Sequence, residues 1–343
     1  MEKEIHIVGI VGSGKMGQNL FNYLLDFDFQ LVLVCQTAQQ KEEATKSVNK
    51  KLKRALKNQL ITEEAYQIQL SKIDITESLN SLENCHLVIE AITENKALKQ
   101  DLFSEIKTIV KPECILASNS SSILASDLGF GDNLIGIHFF YPISLKNIVE
   151  LMITDKTDIE IVTKIENFLH AIKRKYILLK PNGAFILNRL FLDFQNLVYQ
   201  IACYNMLSFK EIDTIVKKYF FPIGVFEFFD SVGIDVMHAS IKNYSLLSSK
   251  PSQYGDLIYE MTRLINRGYL GQKTKRGFYD YELPLNSQTS SIEDELEQQI
   301  YNELKNCYVQ TATSFVEKGI CDKTIINNAV KEYMDIEKGP FEI

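Results

Sequence analysis

No stretch of this chain is long and apolar enough to cross a bilayer. Glu2 and Glu4 put negative charge where a secretory leader carries positive charge, and glycines interrupt the first apolar run, so no signal peptide is expected. The six cysteines (Cys35, Cys85, Cys114, Cys203, Cys307 and Cys321) show no CxxC spacing, which fits reduced thiols in a cytosol and a cytoplasmic location. The five histidines (His6, His86, His138, His170 and His238) lack metal-ligand spacing, so no metal is expected. An excess of positive charge is missing as well: a formal net charge of -7 argues against a general nucleic-acid binder. What is present is 343 residues, 45% of them hydrophobic, enough for two or three domains with buried cores.

The first of these domains announces itself at once. IHIVGIV (5–11) is a β-branched apolar run, GSGKMG (12–17) follows directly, and QNLFNYLLDF carries apolar residues at helical spacing. In a strand, glycine turn and helix of this kind, Gly12 makes the tight turn and Gly14 lets the backbone approach a pyrophosphate. Gly17 lets helix pack on strand, and the helix N-terminus, with Lys15 and Met16 in its first turn, attracts the phosphates. A second strand, QLVLVC (30–35), arrives on schedule for a dinucleotide-binding unit. The alternative is a glycine-rich structural turn with no ligand.

Short β-rich runs then alternate with helical stretches: HLVIEAI (86–92), CILAS (114–118), LIGIHFF (134–140) and YILL (176–179). Such alternation predicts an α/β, Rossmann-like, doubly wound and mostly parallel sheet over residues 1–181. After residue 183 the strand signals stop, and patterns such as AFILNRLFLDFQNLVYQIACYNM (184–206) predict an all-α C-terminal domain. That domain contains a partial internal repeat. SFKEIDTIVKKYFFPIGVFEF (208–228) parallels DKTIINNAVKEYMDIEKGPFEI (322–343) at an offset of 114, becoming 115 from Gly224/Gly339 onward. Residues 182–283 are read as the first copy and 284–343 as a partial second, with the polar linker PLNSQTSSIEDE (284–295) between the two matched segments.

The chemistry concentrates in IGIHFFYPISLKNIVELM (135–152). A histidine at the end of an apolar strand lies near the carboxyl edge of the sheet, where open α/β folds bind ligands. Glu150 follows His138 by twelve residues in a second apolar run. Taken alone, a histidine such as His138 is more often a satisfied core residue than a catalyst. The whole set is more specific: the glycine fingerprint, ITEN (92–95), SNSSS (118–122), HFFYP with Glu150, FILNR (185–189), the PxGxFE segment (222–227) and GQKTKRGFYDY (271–281). With these motifs the chain resembles the L-3-hydroxyacyl-CoA dehydrogenase family over nearly its entire length. The twelve-residue His-to-Glu interval and the fifty residues from His138 to Asn188 match the family's pattern.

The resemblance implies an NAD-dependent enzyme that interconverts (S)-3-hydroxyacyl-CoA and 3-oxoacyl-CoA in fatty-acid metabolism, with short chains such as 3-hydroxybutyryl-CoA in view. It implies that His138 is the general base and that Glu150 fixes its tautomer and stabilises the imidazolium. Ser121 and Asn188 then hydrogen-bond the substrate oxygens, Glu94 and Lys99 lie near the nicotinamide half, and Asn119 is another cofactor-side position. Each has a plainer alternative. Ser121 can cap a helix beginning in SSSILASDL, Asn188 needs only some partner for its amide in an apolar helix, and Glu94 and Lys99 can be surface charges. The basic run KKLKRALK (50–57), ending at Lys57, is placed by the resemblance beside the coenzyme A phosphates; the alternative is a solvated helix face. The same hydride chemistry on an acyl group held by a carrier protein, or a catalytically silent module of the same fold, are the competing functions. By the same resemblance the chain is either a homodimer or a monomer whose second copy replaces the partner; from its charge and its lack of a long apolar run, no nucleic-acid or membrane partner is expected.

Three departures from the family stand out. Cys35 occupies the place of an acidic residue that accepts hydrogen bonds from the adenosine ribose, and a thiol is a poor acceptor. Gln36 offers an amide oxygen in its place, and the nearest following cation is Lys41, so NAD bound more weakly, with relaxed discrimination against NADP, is expected. Tyr141 replaces an asparagine, and NGAF (182–185) replaces PGF, both near the cleft that the family uses.

Overall fold

The computed structural model describes residues 5–129, 134–180, 183, 185–246, 248, 250–283 and 292–343. The chain divides into two compact units, Met1–Ala184 and Phe185–Ile343. Of the departure at NGAF only Gly183 and Phe185 fall among the described residues, as does the end of the polar linker from residue 292.

The first unit runs β1 (Ile7–Val11), α1 (Lys15–Leu24), β2 (Gln30–Val34), α2 (Ala38–Lys57), α3 (Glu63–Ser71), β3 (Ile73–Thr76), β4 (Leu87–Glu90), α4 (Lys96–Ile109), β5 (Ile115–Ser118), α5 (Ala125–Leu128), β6 (Leu134–Phe139), β7 (Ile148–Met152), α6 (Ile159–Ala171) and β8 (Lys175–Leu179). The eight strands form one sheet in the order β3-β2-β1-β4-β5-β6-β7-β8. All neighbours pair in parallel except β6 and β7. This is the Rossmann-like, mostly parallel sheet that the alternating pattern predicts. Strands β4, β5, β6 and β7 are buried at every position, as expected where helices cover both faces. Alternate strand residues feed two cores. Val8, Ile10, Leu31, Leu33 and Ile89 join α1 through Leu20, Phe21 and Leu24. Val11, Val32, Val34 and Val88 meet Phe103 and Ile106 of α4 on the other face. The edge strand β3 has no counterpart in the sequence reading: IDIT is four residues long, half-buried, and exposes Asp74, so it carries little strand signal.

The second unit is helical: α7 (Ile186–Tyr204), α8 (Phe209–Tyr219), α9 (Val225–Val232), α10 (Ile234–Ser245), α11 (Gly255–Asn266), α12 (Asp294–Glu317) and α13 (Lys323–Met334). Its core is aromatic. Phe194 of α7 packs against the rings of Phe220, Phe221 and Tyr308 at 5.1, 5.1 and 5.7 Å between centroids. Asp193, beside Phe194 in the chain, accepts hydrogen bonds from the hydroxyls of Tyr254 and of Thr311 on α12.

One set of contacts occurs twice. Asp213 of α8 accepts hydrogen bonds from the backbone N–H groups of Phe226 and Glu227, and Asn327 of α13 accepts one from Phe341. The N–H of Gly224 donates to Glu227 at 3.1 Å and that of Gly339 to Glu342 at 2.8 Å. Lys217 pairs with Glu227 and Lys331 with Glu342. A Cβ at Gly224 would lie 2.2 Å from the Asp213 side chain, and one at Gly339 would lie 2.4 Å from that of Asn327, so both turns need glycine for the close approach.

The two versions differ in charge. Burial pushes the Asp213 carboxyl up from 3.8 to about 6, against the hydrogen bonds from Tyr279 and the backbone and with Glu227 adding like charge. A carboxyl whose folded pKa is raised stabilises the fold below its unfolded value, and that stability is lost as pH rises through the folded value. From pH 4 to pH 7 the loss is about 2 kcal/mol. The stability difference between the wild type and Asp213→Asn, from urea unfolding across this range, should therefore move steadily in favour of the asparagine variant as pH rises. A difference independent of pH would remove the explanation.

Candidate active site

The cradle at the end of β1 follows from three glycines. Gly12 has φ +107, and a Cβ there would sit 2.6 Å from the Ala91 carbonyl oxygen, so the chain can turn against the neighbouring strand only with glycine. At Gly17 a Cβ would come within 1.8 Å of the Gly12 oxygen, which seats α1 directly on the turn. Gly14, in contrast, faces open space: no atom lies within 4 Å of the Cβ it lacks. Gly14 is also the N-cap of α1, and no side chain caps it, so the first-turn N–H groups carry the positive end of the helix toward that space. These residues fit a dinucleotide pyrophosphate. Lys15 is exposed at the first position of α1, and Met16 packs partly into the core.

At the same edge a chain of buried charges ties three loops together. Glu90 ends β4, opposite Val11 of β1 and Ser118 of β5, and is fully buried. One of its oxygens accepts from the Ser118 hydroxyl at 2.7 Å; the other accepts from the Ile92 N–H at 2.8 Å and from the Lys99 ammonium. Lys99, on α4, is 1% exposed and also reaches Glu94 at 3.3 Å. Glu94 in turn holds the serine loop, accepting from the hydroxyls of Ser120 and Ser122 and from the N–H groups of Ser121 and Ser122. Burial opposes the charge on Glu94, yet the Lys99 ammonium and these hydrogen bonds outweigh it and hold the carboxyl below its ordinary range. Lys99 is thus no surface charge. Ser121 does not cap a helix either, because α5 starts at Ala125 with Leu124 before it.

His138 lies one residue before the end of β6, directly opposite Glu150 of β7. Its Nδ1 is 3.0 Å from a Glu150 oxygen, with the histidine 4% exposed and the glutamate fully buried. A carboxylate at Nδ1 places the proton of the neutral ring on that nitrogen, so the basic lone pair belongs to Nε2. The Phe140 ring lies 4.3 Å from the imidazole. Asn119, after β5, fixes the strand end, accepting from the Phe139 N–H at 2.9 Å while its own N–H donates to the Glu90 carbonyl. The turn between β6 and β7 is anchored to α1 by the Ile143 N–H, which donates to Asn19 at 2.8 Å. Tyr141, on that turn, is exposed.

In the second unit Asn188, in the first turn of α7, donates its amide to the Tyr244 hydroxyl of α10. On α2, Lys50, Lys53, Arg54 and Lys57 are exposed, whereas Lys51 pairs with Asp26 at 2.7 Å. Cys35 is buried, and that burial pushes its thiol up. The sequence reading passed over Glu90, Gln40 and Tyr244. For Glu90 there was a signal, a carboxylate inside the apolar run HLVIEAI; for Gln40 and Tyr244, tied to Ser13 and Asn188 far along the chain, there was none.

Comparison with known proteins gives a consistent result. Residues 7–182 match the NAD-binding domain model of 3-hydroxyacyl-CoA dehydrogenase, and residues 184–281 match the C-terminal domain model of the same enzyme. A 3-hydroxybutyryl-CoA dehydrogenase of Bradyrhizobium diazoefficiens is 31% identical over 288 residues, 82% of this chain and 97% of that protein. The (S)-3-hydroxybutyryl-CoA dehydrogenase of Ralstonia eutropha superposes with a TM-score of 0.69 at 29% identity, covering 81% of this chain and 99% of the other. A 3-hydroxybutyryl-CoA dehydrogenase of Escherichia coli reaches a TM-score of 0.84 over 98% of this chain and 90% of its own, at 17% identity.

Removing one member of the buried Glu90 and Lys99 pair leaves an uncompensated charge, which costs about 3–5 kcal/mol. Lys99→Met and Glu90→Gln should each lose stability in urea unfolding, and the double variant should recover most of the loss. Additive losses would mean that the two charges do not depend on each other.

Proposed function

The chain belongs to the 3-hydroxyacyl-CoA dehydrogenase family, and on that footing we propose how its own residues carry out the NAD-dependent oxidation of 3-hydroxyacyl-CoA to 3-oxoacyl-CoA and its reversal. NAD, when bound, supplies the hydride acceptor for C3. His138 takes the proton that leaves the 3-hydroxyl, at Nε2, and Glu150 stabilises the imidazolium that results. Ser121, Glu94, Lys99 and Asn119 shape the neighbouring carboxyl edge of the sheet, Ser121 facing the substrate oxygen and the others holding the cofactor side. Asn188 is assigned to the substrate oxygens on its family spacing from His138. The observation that carries this reading is the buried His138 and Glu150 pair on the sheet edge that also bears Gly12, Glu90 and Ser118.

The substrate we propose is short-chain, in keeping with the names of the Bradyrhizobium and Ralstonia relatives, with coenzyme A phosphates met by Lys57 and the exposed cations of α2. A carrier-protein substrate would use the same cations, and a faster reaction with acyl carrier protein than with coenzyme A thioester would favour it. The recurrence of the Asp213 contacts at Asn327 supports residues 322–343 as a partial second copy of 208–228, and with it a pseudo-dimeric monomer over a homodimer. Sedimentation should then give a single chain of 39.3 kDa.

The catalytic assignment is tested with acetoacetyl-CoA and NADH, followed by loss of nicotinamide absorbance. His138→Gln should lower kcat by about 10²- to 10⁴-fold while NADH affinity is kept. Glu150→Gln should lower kcat as well, with the protein still folded. Equal loss of turnover and NADH affinity in His138→Gln would make the histidine structural.

A further inference from the structure

Cys35 stands where the family carries an acid for the adenosine ribose, and Gln40 lies close to the same strand end, held by Ser13 and Gln36. Gln40, from the first turn of α2, turns its side-chain oxygen back toward the end of β1. That oxygen accepts from the Ser13 hydroxyl at 3.1 Å and from the Gln36 N–H at 3.0 Å. Ser13 is itself buried, lying between Gly12 and Gly14 of the phosphate turn. Two donated hydrogen bonds occupy both lone pairs of the Gln40 oxygen. Its amide nitrogen has no partner among the described residues, so the group that remains is a neutral donor.

We propose that Gln40 is the residue that sets this enzyme's choice of dinucleotide, and that it makes the enzyme accept NADP as well as NAD. The inference rests on the assignment of the adenosine ribose to the ends of β1 and β2. A carboxylate at this place accepts from the ribose hydroxyls and repels a 2′-phosphate; a cation attracts the phosphate. An uncharged N–H donor does neither. It gives a hydrogen bond to a hydroxyl oxygen or to a phosphate oxygen alike.

The surroundings add no strong bias. The first turn of α2 holds no acidic residue. Further along α2, Glu42 is paired with Lys46, and Glu43 accepts from Gln39. Lys41 and Glu77, of opposite sign, are the charges whose fields reach the Cys35 thiol. Cys35 itself is 2% exposed, so it offers the ribose neither charge nor a good acceptor. The side chain of Gln36 points to solvent and enters the network only through its backbone N–H.

Gln40→Glu isolates the effect. A glutamate has the same shape and keeps an oxygen to accept from Ser13 and Gln36, and it replaces the neutral donor with an anionic acceptor. The chain has no tryptophan, so nicotinamide fluorescence reports NADH and NADPH binding without indole emission, and calorimetry gives an independent constant. The wild type should bind NADH and NADPH within about tenfold of each other, and Gln40→Glu should shift the ratio toward NADH by about tenfold or more. Cys35→Asp should move the ratio the same way, and thermal melts should show both variants folded. A wild-type preference for NADH above about a hundredfold, or a ratio unchanged in Gln40→Glu, would overturn the proposal and leave the family reading in place. Failure of the folded wild type to bind either dinucleotide would instead bring down the cofactor cradle, and the proposal with it.

Discussion

The antiparallel pairing of β6 with β7 is the constraint on which the site is built. In a sheet that is otherwise parallel, this reversal sets two residues twelve apart directly across from one another, both pointing to the same face, so that an imidazole and a carboxylate meet at 3.0 Å. A parallel pairing would have needed a long crossover and would have separated them. The reversal also lets a short turn carry the chain back, and that turn is tied to α1 through Asn19 and Ile143. The imidazole is therefore positioned by backbone register and needs no help from a flexible loop. A one-residue slip would put His138 and Glu150 on opposite faces of the sheet.

The cofactor edge solves a different problem. Parallel strands end in unpaired backbone groups, and here the loops after β4 and β5 are fastened by charge placed deep in the fold. Glu90 alone has no compensation in an apolar strand; Lys99 supplies it and thereby commits α4 to its position. Glu94 passes the constraint outward to the serine loop. The result is a rim next to Gly12 and Gly14 whose carboxylates, Glu90 and Glu94, have their partners before any ligand arrives. Preorganisation of this sort keeps the cost of ordering out of the binding step.

Much of this was legible in the sequence, and the part that was not has a common cause. The glycine fingerprint is local: its turn, its close contacts and its helix lie within a dozen residues, so spacing alone discloses it. The His138 and Glu150 interval is likewise a register statement written into one hairpin. The edge strand β3 was lost because its four residues are half-exposed and include Asp74. Gln40 was passed over because its meaning depends on Ser13, 27 positions away, and on the direction of a side chain on a helix whose composition reads only as polar. Glu94 and Lys99 could be read equally as surface charges until α4 was seen to bury the lysine. Asn188 was marked by its poor helix propensity, yet its partner Tyr244, 56 residues on, left no trace in the pattern.

The depth of the Glu90 and Lys99 pair has a consequence for the medium in which the protein works. Dissolved ions weaken attraction between exposed charges over a Debye length of about 8 Å at physiological ionic strength, and they act far less on charges they cannot approach. Surface pairs such as Lys46 with Glu42, both largely exposed, fade as salt is added. Glu90 and Lys99, at 0% and 1% side-chain exposure, are out of reach of those ions. The rim beside Gly12 and Gly14 is therefore insulated from changes in ionic strength, while the cations along α2 stand in the solvent and respond to them in full.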